Sequence, residues 1–265
     1  MKKVFIFFLL CSAFLPMVKA QHSVMNFSDE PININQRSLL IIPFEPFMFQ
    51  SDINRELSNE KPMDGAEICK RFAKGIDQSF QSVFQKRCDV NSFYFLDETR
   101  RFQDLSFVFE NRKLEYVSAS THQVEKPVGI KGLFGKKAEE EKNGIHNGQI
   151  VTAQDNSEKY MKAIANQLLV DSLSRQFNSD FLLFVNQLDI KNIYGSVYEM
   201  SNMEYEREIS IHYTLYSTSG KILSTGISSA RFPATENNID RIISKYFPNL
   251  AKNIYKDLFS SSGVN

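Results

Sequence analysis

Ser38-Leu39-Leu40-Ile41-Ile42-Pro43-Phe44 is a continuous apolar run with no charged side chain. A strand with one face in water alternates apolar and polar residues, because successive side chains point to opposite sides. This run does not alternate, so both its faces need cover, and Pro43 or Pro46 ends it. Phe181-Leu182-Leu183-Phe184-Val185 has the same character and is its best partner in one sheet. Helices must then cover both faces of that sheet, or a partner must cover one.

Working outward, residues 50–63 are polar, contain Pro62 and read as a connection. Asp64 is placed to cap a helix running to about Lys86, with Ile68, Phe72, Ile76, Phe80 and Val83 forming one apolar stripe. Residues 92–96 and 104–117, including Leu105-Ser106-Phe107-Val108-Phe109 and Leu114-Glu115-Tyr116-Val117, read as strands. Asp97-Glu98-Thr99-Arg100-Arg101 reads as a solvated turn. A second helix is expected over about Ser157–Phe177, burying Met161, Ile164, Leu168, Leu169, Ser172, Leu173 and Phe177. Ile209, Ile211, Tyr213 and Leu215 alternate with polar residues, Ser219-Gly220 makes a turn, and Lys221–Arg231 returns as the partner of a hairpin. The end is helical in two pieces: one around Ile239, Ile242, Ile243 and Tyr246, the other beginning at Pro248 and burying Leu250, Ile254 and Leu258. The expected fold is a mixed α/β sheet with amphipathic helices packed on it, closed by an antiparallel hairpin plus helix. It occupies 38–260 as one domain, after an exposed lead-in at 21–37 and with a flexible insertion at 126–148.

The first twenty residues read as a cleavable export signal. Lys2 and Lys3 precede an apolar run from Val4 to Leu15, and Val18-Lys19-Ala20 fits a cut before Gln21. The apolar run is too short for a permanent span. Leu10 before Cys11 is unsuited to lipoprotein processing. The expected location is therefore periplasmic or extracellular. Removing residues 1–20 takes away three lysines and no acid, leaving 28 basic and 31 acidic residues. That balance offers no electrostatic basis for nucleic-acid binding, and no later stretch suits a membrane helix. The 23 phenylalanines supply a real core. Cys69 and Cys88 lie nineteen residues apart on or beside one helix, roughly 28 Å along its axis, well beyond disulfide reach. They are expected to be unpaired.

No nucleophile elbow, zinc-protease helix, Cys-x-x-Cys or dinucleotide fingerprint occurs, so no catalytic residue, cofactor or metal is assigned. Gly135-Lys136 lacks the spacing of a phosphate loop, with Ile130 where its first glycine belongs. Glu204, Glu206, Glu208, Ser210 and His212 share one strand face. They read as the watered side of an edge hairpin, or as a cation or acid–base site. His22, His122 and His146 have no evident third ligand. The segment 126–148 is unusual: Ile130, Leu133 and Phe134 stand among glycines, Lys131, Lys136 and Lys137. It is expected either as a solvated insertion or as a loop contacting a partner or a membrane surface.

An aliphatic run ending in Pro43-Phe44 and followed by an amphipathic helix resembles the opening of envelope α/β domains of the TolB amino-terminal and curli-secretion channel type. The later order of helix, buried strand 181–188, hairpin at Ser219-Gly220 and closing helix is similar too. The resemblance implies binding and assembly in the periplasm, without catalytic residues. The expected function is a non-enzymatic envelope binding or assembly protein with a protein partner, self-association included. The alternatives are an exported hydrolase using Glu204, Glu206 and Glu208, and a small-ligand carrier with a Phe-rich pocket.

Overall fold

The computed structural model describes residues 21–26, 32–118, 144–146, 149–151 and 159–259. In chain order the elements are β1 (Gln21–Asn26), β2 (Ser38–Ile42), β3 (Phe49–Ser51), α1 (Asn54–Glu60), α2 (Gly65–Phe84), β4 (Asp89–Ser92), α3 (Glu98–Asn111), β5 (Arg112–Ser118) and β6 (Gly144–His146). There follow β7 (Gln149–Val151), β8 (Lys159–Ala165), α4 (Gln167–Phe177), β9 (Phe181–Ile193), α5 (Val197–Asn202), β10 (Glu206–Ser217), β11 (Ile222–Pro233) and α6 (Ile239–Phe259). Short 3-10 turns lie at Pro46–Met48 and Phe93–Phe95.

The main sheet has the order β1-β11-β10-β9-β2-β4, with β3 also beside β9. As expected, β2 pairs with β9, in parallel, Leu39 opposite Phe181 and Ile42 opposite Phe184. β4 is parallel to β2, while β9, β10, β11 and β1 are mutually antiparallel neighbours. The sheet is therefore mixed, and the chain has a mixed α/β fold.

Both faces are covered. Leu39 and Ile41 enter one core with Phe72, Ile76 and Phe80 of α2 and Phe247, Leu250 and Ile254 of α6. Leu40 and Ile42 enter the opposite core with Val108 of α3, Leu169 and Leu173 of α4, and Ala163 of β8. That division is why the run could not alternate: each neighbour in sequence belongs to a different apolar layer. Asp64 caps α2 as read, accepting the Glu67 N–H at 2.8 Å. Cys69 and Cys88 are buried and unpaired.

Several segments depart from the reading. The connection 50–63 holds β3 and α1, anchored by fully buried Ile53 and Leu57. Leu105–Phe109 is helical, not extended. Asp97 accepts the Arg100 N–H at 3.0 Å and starts α3, so 97–101 is a helix entry instead of a free turn. The expected helix 157–177 is a strand and then a helix. Asn166 divides them by capping Leu169 N–H at 2.8 Å, and Leu168 is exposed while Leu169, Val170 and Leu173 are buried. α6 runs unbroken through Pro248, because Tyr246, Phe247, Leu250 and Ala251 continue one buried face across it. Residues 21–26 form the outer strand β1 where a lead-in was expected, and Ile32 and Ile34 are buried. The hairpin β10–β11 is interior, flanked by β9 and β1.

Candidate functional site

A groove of about 870 Å³ opens where β2 and β4 end. Ligands in open α/β sheets bind beyond the carboxyl ends of parallel strands, where the connections diverge. Here Pro43-Phe44 leaves β2, crosses the turn Pro46–Met48 and returns to the sheet as β3. Tyr94 follows β4, and Phe102, Leu105 and Phe109 of α3 form the far wall at helical spacing. Phe47 and Phe102 are 70% and 73% exposed at the rim. Large side chains standing this open in one groove mark an interaction site more often than an accident of the surface.

The charged groups at the groove are engaged with one another. Arg112, itself buried, meets Glu45 at 3.3 Å and lies 5.0 Å over the Phe109 ring. Lys70 meets Glu98 at 3.4 Å, and Arg101 stacks 5.2 Å above Tyr94. Burial lowers the Arg112 guanidinium to about 10 against the opposing pull of Glu45. Burial likewise pushes the Cys69 thiol in the groove wall up to about 11, so it stays a protonated, unreactive thiol at neutral pH. What remains for an occupant is mainly apolar and aromatic surface.

The second feature is a polar sheet face under cover. Its residues include part of the Glu204–His212 row singled out in the sequence, but not on a watered edge. Ser210 and His212 are buried, His212 to 2% exposure. The antiparallel pair β5–β8 lies over them. The edge of β8 that β5 does not pair is held by side chains of β10 two residues apart. Met161 N–H donates to His212 Nδ1 at 2.8 Å, Ala163 N–H to Thr214 Oγ1 at 3.1 Å, and Ala165 N–H to Tyr216 Oη at 3.0 Å. Asn186 Nδ2 donates to Met161 O at 2.8 Å, and Tyr216 Oη to Ala163 O at 3.1 Å. Two period-two patterns match, backbone against side chain.

A bulge in β9 completes the face. The register slips so that His212 pairs Gln187 while Tyr213 pairs Val185. Asn186 and Gln187 thereby reach the same side, and Asp189 follows. Asp189 accepts from Gln187 Nε2 at 2.6 Å and Lys191 Nζ at 3.0 Å, with His212 Nε2 at 3.5 Å. Burial would raise its carboxyl, but the nearby His212 imidazole and the hydrogen bonds from Gln187 and Lys191 hold it below the usual range. Tyr116 of β5 reaches Gln187 Oε1 at 3.0 Å and joins the β5–β8 pair to this network.

Of the predicted residues, Glu206 and Glu208 both turn to Arg231 across the hairpin, at 3.6 and 3.4 Å, and Glu204 lies before β10. They do not converge with His212. Among the described residues no group of three or more His, Cys, Asp or Glu side chains is placed to hold a metal, and no helix is long and apolar enough to cross a membrane. The expected contact loop (Ile130, Lys131, Leu133, Phe134, Lys136, Lys137) lies outside the described residues, as do residues 1–20 and His122.

No family model matches this chain, and no curated protein does. Two solved structures are similar in outline. One is a PelC dodecamer from Paraburkholderia phytofirmans in space group P6, with 7% identity and a TM-score of 0.33, covering 87% of this chain and 95% of that one. The other is a point variant of the same protein in space group C2, with 6% identity and a TM-score of 0.33, covering 88% and 95%. Likeness at that level carries no argument about this chain.

The groove was not anticipated. Its signal was present in Phe102, Leu105 and Phe109, which only share a wall when 98–111 is helical; read as strand, they scatter.

Proposed function

We propose that this chain is an exported binding or assembly protein of the cell envelope, which seats an apolar segment of a protein partner in the groove beyond β2 and β4. The observation that carries this reading is the pairing of the groove's charges with each other, which leaves Phe47, Phe102 and Phe109 as the surface to be covered. Among the described residues the charges lining the groove each face an opposite charge or a ring, whereas an aliphatic or aromatic segment would shed water from both sides. The export signal at 1–20 and the resemblance to envelope α/β assembly domains support the same reading. Residues 130–137 are a second proposed contact, to a partner or to a membrane surface.

The hydrolase alternative loses its carboxylates, since Glu206 and Glu208 serve Arg231 and the nearby imidazole is covered by β8. Tagged mature protein is expected to retain a partner from detergent-solubilised envelope extract, and Phe47→Ser with Phe102→Ser to lose it by more than tenfold. Glu204→Ala, Glu206→Ala and Glu208→Ala together are expected to leave it unchanged. Retention by the double Phe variant would overturn the groove, and recovery of the same chain as the partner would make the interface one of self-association.

A further inference from the structure

We infer that the groove is filled by the β9–β10 connection, Tyr194–Tyr205, of a second copy of this chain; this rests on the groove being a partner's seat and names the partner. Between β9 and β10 the chain forms the short helix α5, which is organised at both ends although it stands at the surface. Ser196 accepts the Glu199 N–H at 3.2 Å, and Glu199 Oε2 accepts the Gly195 N–H at 3.0 Å. At the other end the Glu204 N–H closes on Glu199 O at 2.9 Å, with Met203 in the left-handed region. A helix of 6 residues is marginal by itself, so these caps are what hold its shape. What that shape presents is apolar. Tyr198 is 68% exposed, and Tyr194, Met200 and Met203 are exposed too, while Tyr205 is buried against the Tyr194 ring. Large apolar side chains gathered on one ordered projection mark a contact surface, and methionine adapts to an irregular seat.

Length, chemistry and charge match this projection to the groove. α5 rises about 9 Å, and the α3 wall from Phe102 to Phe109 about 10 Å. Tyrosine rings and thioethers would meet the rings of Phe47, Phe102 and Phe109, contacts that contribute beyond the area they bury. Residues 194–205 include Glu199 and Glu204 and no basic side chain. At the groove, Glu98 is shared between Lys70 at 3.4 Å and Arg101 at 3.8 Å, which leaves positive charge in excess. Opposite charges at a rim steer the encounter, while the buried apolar side chains carry the affinity. Within one chain Tyr198 and Phe102 are both open to water, so the seat lies in another copy. Each contact joins two unlike patches and closes as a reciprocal pair or as a ring, according to the rotation between copies.

Sedimentation of the chain purified from producing cells, at micromolar concentrations, tests this with two variants. One carries Tyr198→Ser with Met200→Ser on the projection, the other Phe47→Ser with Phe102→Ser in the groove. All four side chains are exposed, so each variant should keep the urea midpoint of the parent chain. The parent is expected to self-associate, and each variant alone to do so about tenfold or more weakly. An equimolar mixture of the two variants is expected to regain a one-to-one complex, because one brings an intact groove and the other an intact projection. A parent chain that stays monomeric, self-association that survives the projection variant, or a mixture that fails to pair would each overturn the inference. Capture from envelope extract separates it from the groove reading. If the Phe47 and Phe102 variant loses a captured protein of different sequence that the Tyr198 and Met200 variant retains, the groove stands and this occupant falls.

Discussion

Asp77 sits on α2 at 1% exposure, where it accepts the Ser92 hydroxyl at 2.6 Å and the Gln81 amide. Burial lifts its carboxyl to about 6, more than the two hydrogen bonds pull it down. A carboxyl raised on folding favours the native state while protonated. Its contribution is complete below the ordinary value of about 4 and is lost as pH rises through 6. At pH 8 a charged Asp77 is thus a native-state burden. Asp77→Asn is expected to stabilise the protein there by about 1–2 kcal/mol, with the advantage closing by about pH 4 in urea titrations; a variant no more stable at pH 8 would refute this. The exposed charges behave otherwise. Replacing Glu206 and Glu208 by Ala removes two contacts to Arg231 that are partly in water, and urea unfolding should move by less than about 1 kcal/mol. A much larger loss would mean that the row has a structural role the contacts do not show.

At the scale of elements, the docking of β8 is the least conventional feature. Strands usually satisfy their edges with strands; here one edge is satisfied by Thr214, Tyr216, His212 and Asn186. Thr214→Val keeps the shape but leaves the buried Ala163 N–H without its acceptor, at an expected cost of about 1–3 kcal/mol in global unfolding. Unchanged stability would show that the amide finds another partner. This feature was illegible in the sequence because strand periodicity says which side a residue faces and not what lies on that side. Ser210 and His212 looked watered for that reason. β8 itself was hidden by Met161, Ile164 and Leu168, whose spacing mimics a helix although Asn166 interrupts it. In the same way Leu105–Phe109 is β-rich in composition, yet the Asp97 cap and the core contact of Val108 make it helical. Where a capping residue and an uninterrupted stripe agree, as at Asp64 with Ile68, Phe72, Ile76 and Phe80, the reading and the structure coincide.

Over the whole molecule, two aliphatic runs showed that both faces of their sheet need cover, by helices or by a partner, and the hairpin that follows them pointed to a mixed sheet; the structure covers both faces from within the chain. The identity of the covers was partly open. α2 was legible as an amphipathic helix and α6 as two helical pieces, whereas in the opposite layer β5 was read as a strand at Leu114–Val117 but its partner β8 was read as helix. The groove depends on three segments, after β2, after β4 and along α3, whose meeting is a property of topology and not of any one of them. Its role as a seat for an apolar partner segment is the claim on which the functional account rests. Site-specific photocrosslinking tests it most directly. A crosslinker replacing Phe102 in cells producing the chain is expected to yield one dominant protein adduct, absent when the crosslinker is moved to exposed Lys252 on α6. No adduct at Phe102, or the same adducts from both positions, would contradict it.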